Sequence, residues 1–150
     1  MSNLRIARVD DDDAMLQDWQ YVHNLIIPTA VLSLDEVRER AQRNQLDVAY
    51  LGDVLVGCMT VRPPTSDDPS TATVIARVLP GHRGQGFGGE LYEQGLAQAR
   101  KLGADVIETV VLASNPDGLR FAQSQGFVEV EEYLLPGDTV PWFTLRLMCR

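Results

Sequence analysis

Val74-Ile75-Ala76-Arg77-Val78-Leu79-Pro80-Gly81-His82-Arg83-Gly84-Gln85-Gly86-Phe87-Gly88-Gly89-Glu90-Leu91-Tyr92 is a strand-like run that feeds a basic, glycine-rich loop and then a helix. Gly84, Gly86 and Gly88 remove the side chains that would hold a ligand away from the backbone. The loop amides and the first-turn amides of the helix have no intrahelical acceptor and carry partial positive charge. This corner therefore suits an anion such as phosphate, and Arg83 adds a cation with a planar donor fork.

Glycine loops of this kind serve more than one purpose. Gly84-Gln85-Gly86-Phe87-Gly88-Gly89 fits G-x-G-x-x-G, and Glu108 follows about 20 residues on, as a dinucleotide fingerprint asks. Two features count against that reading. Too little chain follows for the remaining strands of a dinucleotide half, and Glu108 falls inside its strand instead of at the strand's end. A P-loop is excluded, because no G-x-x-x-x-G-K-S/T is present.

A second pattern lies one strand downstream: Asn115-Pro116-Asp117-Gly118-Leu119-Arg120-Phe121-Ala122-Gln123-Ser124-Gln125-Gly126-Phe127, which fits N-x-x-A/G-x-x-F/L-x-x-x-x-G-F. With Val78-x-Pro80-x-x-Arg83-Gly84-Gln85-Gly86-x-Gly88, it resembles the GCN5-related N-acetyltransferase (GNAT) family, closely from Thr73 to Leu147 and loosely before that. Two motifs in the right order are far more specific than either alone.

The resemblance implies a mixed α/β domain spanning residues 1–150. Its sheet is mostly antiparallel, has six or seven strands and splays between the fourth and fifth, with helices on both faces. It implies acyl-CoA-dependent N-acyl transfer, most simply of acetyl from acetyl-CoA to a small-molecule or peptide amine by direct attack. Backbone groups around Ala76, Arg77 and Val78 would pair with the pantetheine arm and polarise the thioester carbonyl. Arg83, Gly84, Gln85, Gly86, Phe87 and Gly88 would hold the pyrophosphate. Asn115 would meet the pantetheine or a water, although an N-cap before Pro116 explains it equally.

The chain departs from the family on the acid–base side. Many members carry a tyrosine directly after the Phe121 position, where this chain has Ala122. The acid sometimes found five residues before Asn115 is Val110 here, with Glu108 two back on the same strand face. Glu108 is thus read either as a paired acid or as the base that relays a proton from the attacking ammonium. Tyr133, Ser124 or water could protonate the leaving thiolate. The departures motivate an alternative, an acyl-CoA-binding module of the same fold without turnover.

Bulk properties are consistent with this. A chain of 150 residues with 45% hydrophobic and 23% charged content is an ordinary globular domain able to bury a core. No apolar run approaches a membrane span, and Met1 to Arg5 lacks the pattern of a signal peptide. Cys58 and Cys149 form neither a disulfide framework nor a metal spacing, so a reduced cytoplasm is expected, with Cys58 buried and inert. The net charge of −8 argues against nucleic acid and would suit a cationic acceptor by steering. No membrane partner is expected, and a homodimer is left open.

Local patterning places the remaining elements. Leu4 to Val9 alternates as a first strand. Asp10 to Asp13 start a helix over about Ala14–Asn24, with Asp11 or Asp12 as N-cap and Leu16, Trp19, Val22 and His23 near one face. Pro28 follows its end, and Ser33 with Glu36 forms a capping box for a helix over Leu34–Arg43. Strands follow at Asp47–Leu51 and Val54–Val61 around a Gly52-Asp53 turn, then at Thr71–Val78, Val106–Leu112, from Phe127, and at Trp142–Met148. Helices are expected over Gly88–Leu102, with Leu91, Gly95, Ala99 and Leu102 on one side, and over Pro116–Gln125.

Overall fold

The computed structural model describes residues 3–10 and 12–147. Asp11 as a cap, Met148 as a strand end and Cys149 lie outside the described residues, as does the chain start at Met1 and Ser2. The elements run β1 (Leu4–Arg8), α1 (Asp13–Ile26), α2 (Leu34–Arg43), β2 (Gln45–Leu51), β3 (Val54–Arg62), β4 (Thr71–Val78), α3 (Phe87–Lys101), β5 (Val106–Leu112), α4 (Pro116–Ser124), β6 (Phe127–Tyr133) and β7 (Trp142–Leu147).

Capping chemistry sets the helix starts. The Asp12 side chain accepts from the Ala14 amide at 2.9 Å and begins α1. At α2 the capping box closes both ways: Ser33 Oγ accepts from the Glu36 amide, and Glu36 Oε1 accepts from the Ser33 amide at 2.8 Å. Helix α1 runs two residues beyond the expected Asn24 and ends before Pro28, which has no amide hydrogen to continue it.

Seven strands form one sheet in the order β1-β2-β3-β4-β5-β7-β6. Every neighbouring pair is antiparallel except β4 and β5. That parallel pair is short: Thr71, Ala72 and Thr73 pair with Val106, Ile107 and Glu108, and pairing then stops. From Val74 to Val78 the β5-facing edge of β4 is open, while β5 goes on pairing with β7 as far as Leu112. This is the splay expected between the fourth and fifth strands.

Side-chain alternation divides the core between the two faces. On one face Val74, Val78, Ile107 and Val111 pack against Leu91 and Ala99 of α3 and Ala122 of α4. On the other, Val48 and Cys58 pack against Leu16, Trp19 and Val22 of α1 and Val37 of α2. Each fully buried Leu or Val here stabilises the fold by about 1.5–3 kcal/mol. Helix α3 lies close on the sheet because Gly95 has no side chain: a Cβ there would sit 2.5 Å from Val74 Cγ1 and 2.7 Å from Met59 Sδ. Leu102 departs from the expected face. It lies beyond the last helical residue, where the 3.6-residue period no longer aims a side chain inward, and is exposed.

Candidate active site

The site is built at the open edge of β4. Strand β4 ends at Val78, a short 3-10 turn spans Pro80–His82, and Gly84 and Gly86 follow with φ of +80° and +85°. Side chains other than glycine are strained in this left-handed region. Gly86 is the N-cap of α3 and offers no side chain, so the first-turn amides are left for an incoming acceptor. Arg83 Nε donates to the Val78 carbonyl at 2.9 Å, and its Nη1 lies 3.8 Å from Asp117 Oδ2 at the start of α4. The guanidinium thereby bridges the two walls of a cleft.

That cleft is a cavity of about 470 Å³ running from the β4 edge across the loop to α4. Ala76, Arg77, Val78, Arg83, Gly84, Gly86, Phe87, Gly88 and Asn115 all line it. Gln85 does not; its side chain points to solvent at the loop tip. His82, Gly89, Asp117, Gly118, Phe121, Gln125 and Ile26 line it as well. The α4 motif signalled Gly118 and Phe121 without assigning them to the wall, whereas Ile26 approaches from the end of α1, which no local pattern announces. Asn115 is the N-cap of α4, its Oδ1 accepting from the Gly118 amide at 3.1 Å. It lines the cavity at the same time, so the cap and the wall are one residue.

Strand alternation sends the Arg77 side chain to the opposite face, beside Cys58. There a second cavity, of about 320 Å³, lies among α1, α2, β3, β4 and the β6–β7 end. Trp19, Ile75, Val110 and Trp142 give it apolar wall, and Arg40, Arg62, Arg77, His23 and Tyr133 give it polar wall. A narrow third space between the splayed strands, of about 30 Å³, shares Ala76, Arg77, Asn115 and Gly118 with the cleft and Ile75, Arg77 and Val110 with the second cavity. Arg77 borders all three.

Burial sets the protonation states here. His23 is buried and stacks on Trp19 at 5.3 Å, and its Nε2–H donates to the Ala30 carbonyl at 3.0 Å. Desolvation first, and the positive field of Arg77 second, lower its pKa to about 4, so the ring is neutral near pH 7. Its Nδ1 has no partner among the described residues. Burial pushes the Cys58 thiol up to about 12, which makes it the inert core thiol expected. Burial also raises the Tyr133 hydroxyl.

Glu108 is set apart from these cavities. It lies in the paired segment of β5, before the splay opens, and accepts from Arg146 Nη2 on β7 at 2.7 Å. It lines neither the cleft nor the cavity beyond it. The paired-acid reading of Glu108 describes this geometry. Ala122 is fully buried against the α3 face. Ser124 Oγ donates to the Phe121 carbonyl at 2.6 Å and lies outside the cleft lining. Tyr133 borders only the second cavity. Among the described residues the ionisable wall of this cavity is arginine, histidine and tyrosine, with no carboxylate.

Among the described residues, no cluster of three or more His, Cys, Asp or Glu could hold a metal ion, and no helix is long and apolar enough to cross a membrane.

Comparison with known proteins gives a family match: residues 13–127 match the family model described as the acetyltransferase (GNAT) family. No curated protein sequence matches the chain. Similar solved structures include an acetyltransferase from Thermus thermophilus, with 23% identity, a TM-score of 0.72 and 98% of each chain covered. A GNAT family acetyltransferase from Elizabethkingia anophelis with acetyl-CoA bound has 17% identity and a TM-score of 0.74, covering 99% of this chain and 100% of that one. Arabidopsis thaliana Naa50, in complex with the bisubstrate analogue CoA-Ac-MVNAL, has 17% identity and a TM-score of 0.77, covering 98% and 99%.

Proposed function

The chain belongs to the acetyltransferase (GNAT) family, and from that premise we propose that it transfers acetyl from acetyl-CoA directly to an amine, using the open edge of β4 as its cofactor rail. One observation carries this reading: β4 and β5 part after Thr73, and the freed edge runs straight into a loop whose helix N-terminus lacks a capping side chain. The cleft fits such a co-substrate. Its uncapped amides and Arg83 suit a pyrophosphate. Its β4 edge offers strand-like hydrogen bonds to an amide-bearing arm, in the manner of an added strand.

When bound, the co-substrate supplies an acyl group on a thioester whose thiol is a tolerable leaving group near neutral pH. Residues of this chain do the rest. On the open edge of β4 the Val78 amide, which strand alternation turns away from β3, stabilises negative charge on the acyl oxygen. The strand gap at Ala76, Arg77 and Asn115 brings the two cavities together and holds the amine near the acyl carbon. The C–N bond forms as the C–S bond breaks, sulfur leaves with the electron pair, and the amine's excess proton passes to water. No side-chain acid is assigned, since Ala122 stands at the tyrosine position and Glu108 is held by Arg146. We read residues 1–150 as one such domain working in the cytoplasm on a soluble amine, without nucleic acid or membrane. A small-molecule acceptor is preferred to a peptide because the second cavity is about 320 Å³, at the small end of ligand sites.

The test is calorimetric titration with acetyl-CoA, for the wild type and for Gly86→Glu, followed by thiol release with a panel of amines. Micromolar binding that is lost in the variant, with amine-dependent thiol release, supports the reading. Binding with no release to any amine favours the second reading, a binding module without turnover, which the buried Ala122 motivates. No binding by the wild type refutes both.

A further inference from the structure

Among the described residues, three guanidiniums and no carboxylate line the second cavity. Arg40 comes from α2, Arg62 from β3 and Arg77 from β4, so residues distant in sequence converge on one space. Among the described residues none of the three forms an ion pair, whereas their neighbours Arg38 and Arg43 pair with Asp13, Asp35 and Glu39. Arg77 meets the Cys58 thiol, which burial keeps protonated, and lies near the Tyr92 hydroxyl and His23, with no ion-paired carboxylate among the described residues. Glu36 and Glu39 reach Arg40 only through space, from α2 itself. Glu131 acts on Tyr133, and His23 is neutral near pH 7. Burial disfavours the charge on each arginine; repulsion adds to it, from Arg43 at Arg40, from Arg40 and Arg77 at Arg62, and from Arg40 at Arg77. An arginine does not escape by losing its proton. The fold therefore holds concentrated positive charge beside apolar wall, with no ion-paired carboxylate among the described residues, in a space open to a ligand.

The cavity also has a direction. At one end Ile75, Arg77 and Val110 are shared with the gap between the splayed strands. At the other, Arg40 and Arg62 are shared with an outer hollow lined by Arg43, Pro63 and Pro64. A ligand whose amine reaches the strand gap thus extends its remaining part toward Arg40 and Arg62.

We propose that the acceptor is a small amine that also carries an oxyanion, a carboxylate or phosphonate held by Arg40 and Arg62, with an apolar body against Trp19 and Trp142. The chemical class is that of free α-amino acids and their phosphonate analogues, and it excludes polyamines and other polycations. The proposal rests on the acetyltransferase reading for its choice of amine, but its anion site is testable without turnover.

Glycine, leucine and phenylalanine are assayed as free acid, carboxamide, decarboxylated amine and α-aminophosphonate, with spermidine as the polycation, by thiol release from acetyl-CoA. The expected result is a kcat/KM for the best acid or phosphonate at least tenfold above its carboxamide and amine, as expected when a charge-assisted contact is removed. Arg62→Gln and Arg40→Gln reduce that ratio to below about threefold, mainly through KM, while leaving the Kd for acetyl-CoA unchanged. The acid-to-phosphonate ratio distinguishes the two oxyanions. Equal or better rates with carboxamides, amines or spermidine overturn the proposal while leaving acetyl transfer intact. If no amine is turned over, calorimetry with N-acetyl-leucine against N-acetyl-leucinamide, with and without CoA, decides. Preference for the acid that disappears in Arg62→Gln supports the anion site, and equal binding, or none, overturns it. Failure to bind acetyl-CoA refutes the acetyltransferase reading separately.

Discussion

Acid should weaken this fold through His23, by an amount that follows from its burial. In the unfolded chain the ring takes a proton near pH 6.5; in the folded protein it resists until about 4. Its stabilising contribution is therefore complete above pH 6.5 and is lost as pH falls through that window, because the unfolded state binds the proton first. The 2.5-unit gap corresponds to a limit of about 3 kcal/mol, with about 2 kcal/mol of it already lost at pH 5. That is a large share of the roughly 5–15 kcal/mol that holds a domain together. The measurement is urea unfolding at pH 7.5, 6.0 and 5.0 for the wild type and His23→Gln. Glutamine keeps a donor for the Ala30 carbonyl and does not titrate. The variant is less stable at pH 7.5 because the stacking on Trp19 is lost. The other ionisable groups are common to both proteins, so their contribution cancels in the difference. The wild type should lose about 2 kcal/mol more than the variant between pH 7.5 and 5.0. Parallel pH profiles, or an NMR titration that places the His23 pKa near 6.5, would refute the reasoning.

Glu108→Gln should reduce stability by less than about 1 kcal/mol, since Arg146 is half exposed, and should leave kcat for thiol release within about twofold; a fall of a hundredfold or more would restore Glu108 as a base. Gly95→Ala should destabilise the protein in urea despite the gain in helix propensity of about 1 kcal/mol. The added carbon lies within 2.7 Å of Val74 and Met59, and such overpacking costs about 1–3 kcal/mol. Asp47→Ala should reduce stability by about 1–3 kcal/mol, because the buried carboxylate joins Arg8 of β1 to Gln98 of α3; an unchanged urea midpoint would show those contacts to be dispensable.

The geometry of the corner from β4 through the loop to α3 was legible because its requirements are local. Left-handed backbone at Gly84 and Gly86, a strand before them and an amphipathic helix after them all lie within one short stretch. Asn115 and the residues following it announced the second wall in the same way. What the sequence withheld depends on distant partners. Glu108 is explained by Arg146, which meets it through the β5–β7 register and not through any neighbour in the chain. Gln85 sits inside the motif yet points outward, since a loop's spacing does not say which of its side chains turn to the ligand. Of the seven strands only the number was left open between six and seven, and the β4–β5 separation matched the expected splay.

The net charge of −8 does not describe the second cavity, for a physical reason. It sums over the surface, where the acids of this chain cap helices, as Asp12 and Glu36 do, or line exposed β6, as Glu129, Glu131 and Glu132 do. Exposed charges are screened beyond about 8 Å at physiological ionic strength. Half-buried arginines facing one small space are screened less and dominate what a ligand meets there. Two alternations place those arginines: Cys58, Thr60 and Arg62 on β3, and Thr73, Ile75 and Arg77 on β4, each with period two and on the same face. Both alternations can be read from the sequence, but their convergence with Arg40 of α2 cannot, because it depends on how α2 docks. Net charge bears on solubility and long-range encounter; recognition at this site is decided by which side chains the sheet turns toward a common cavity.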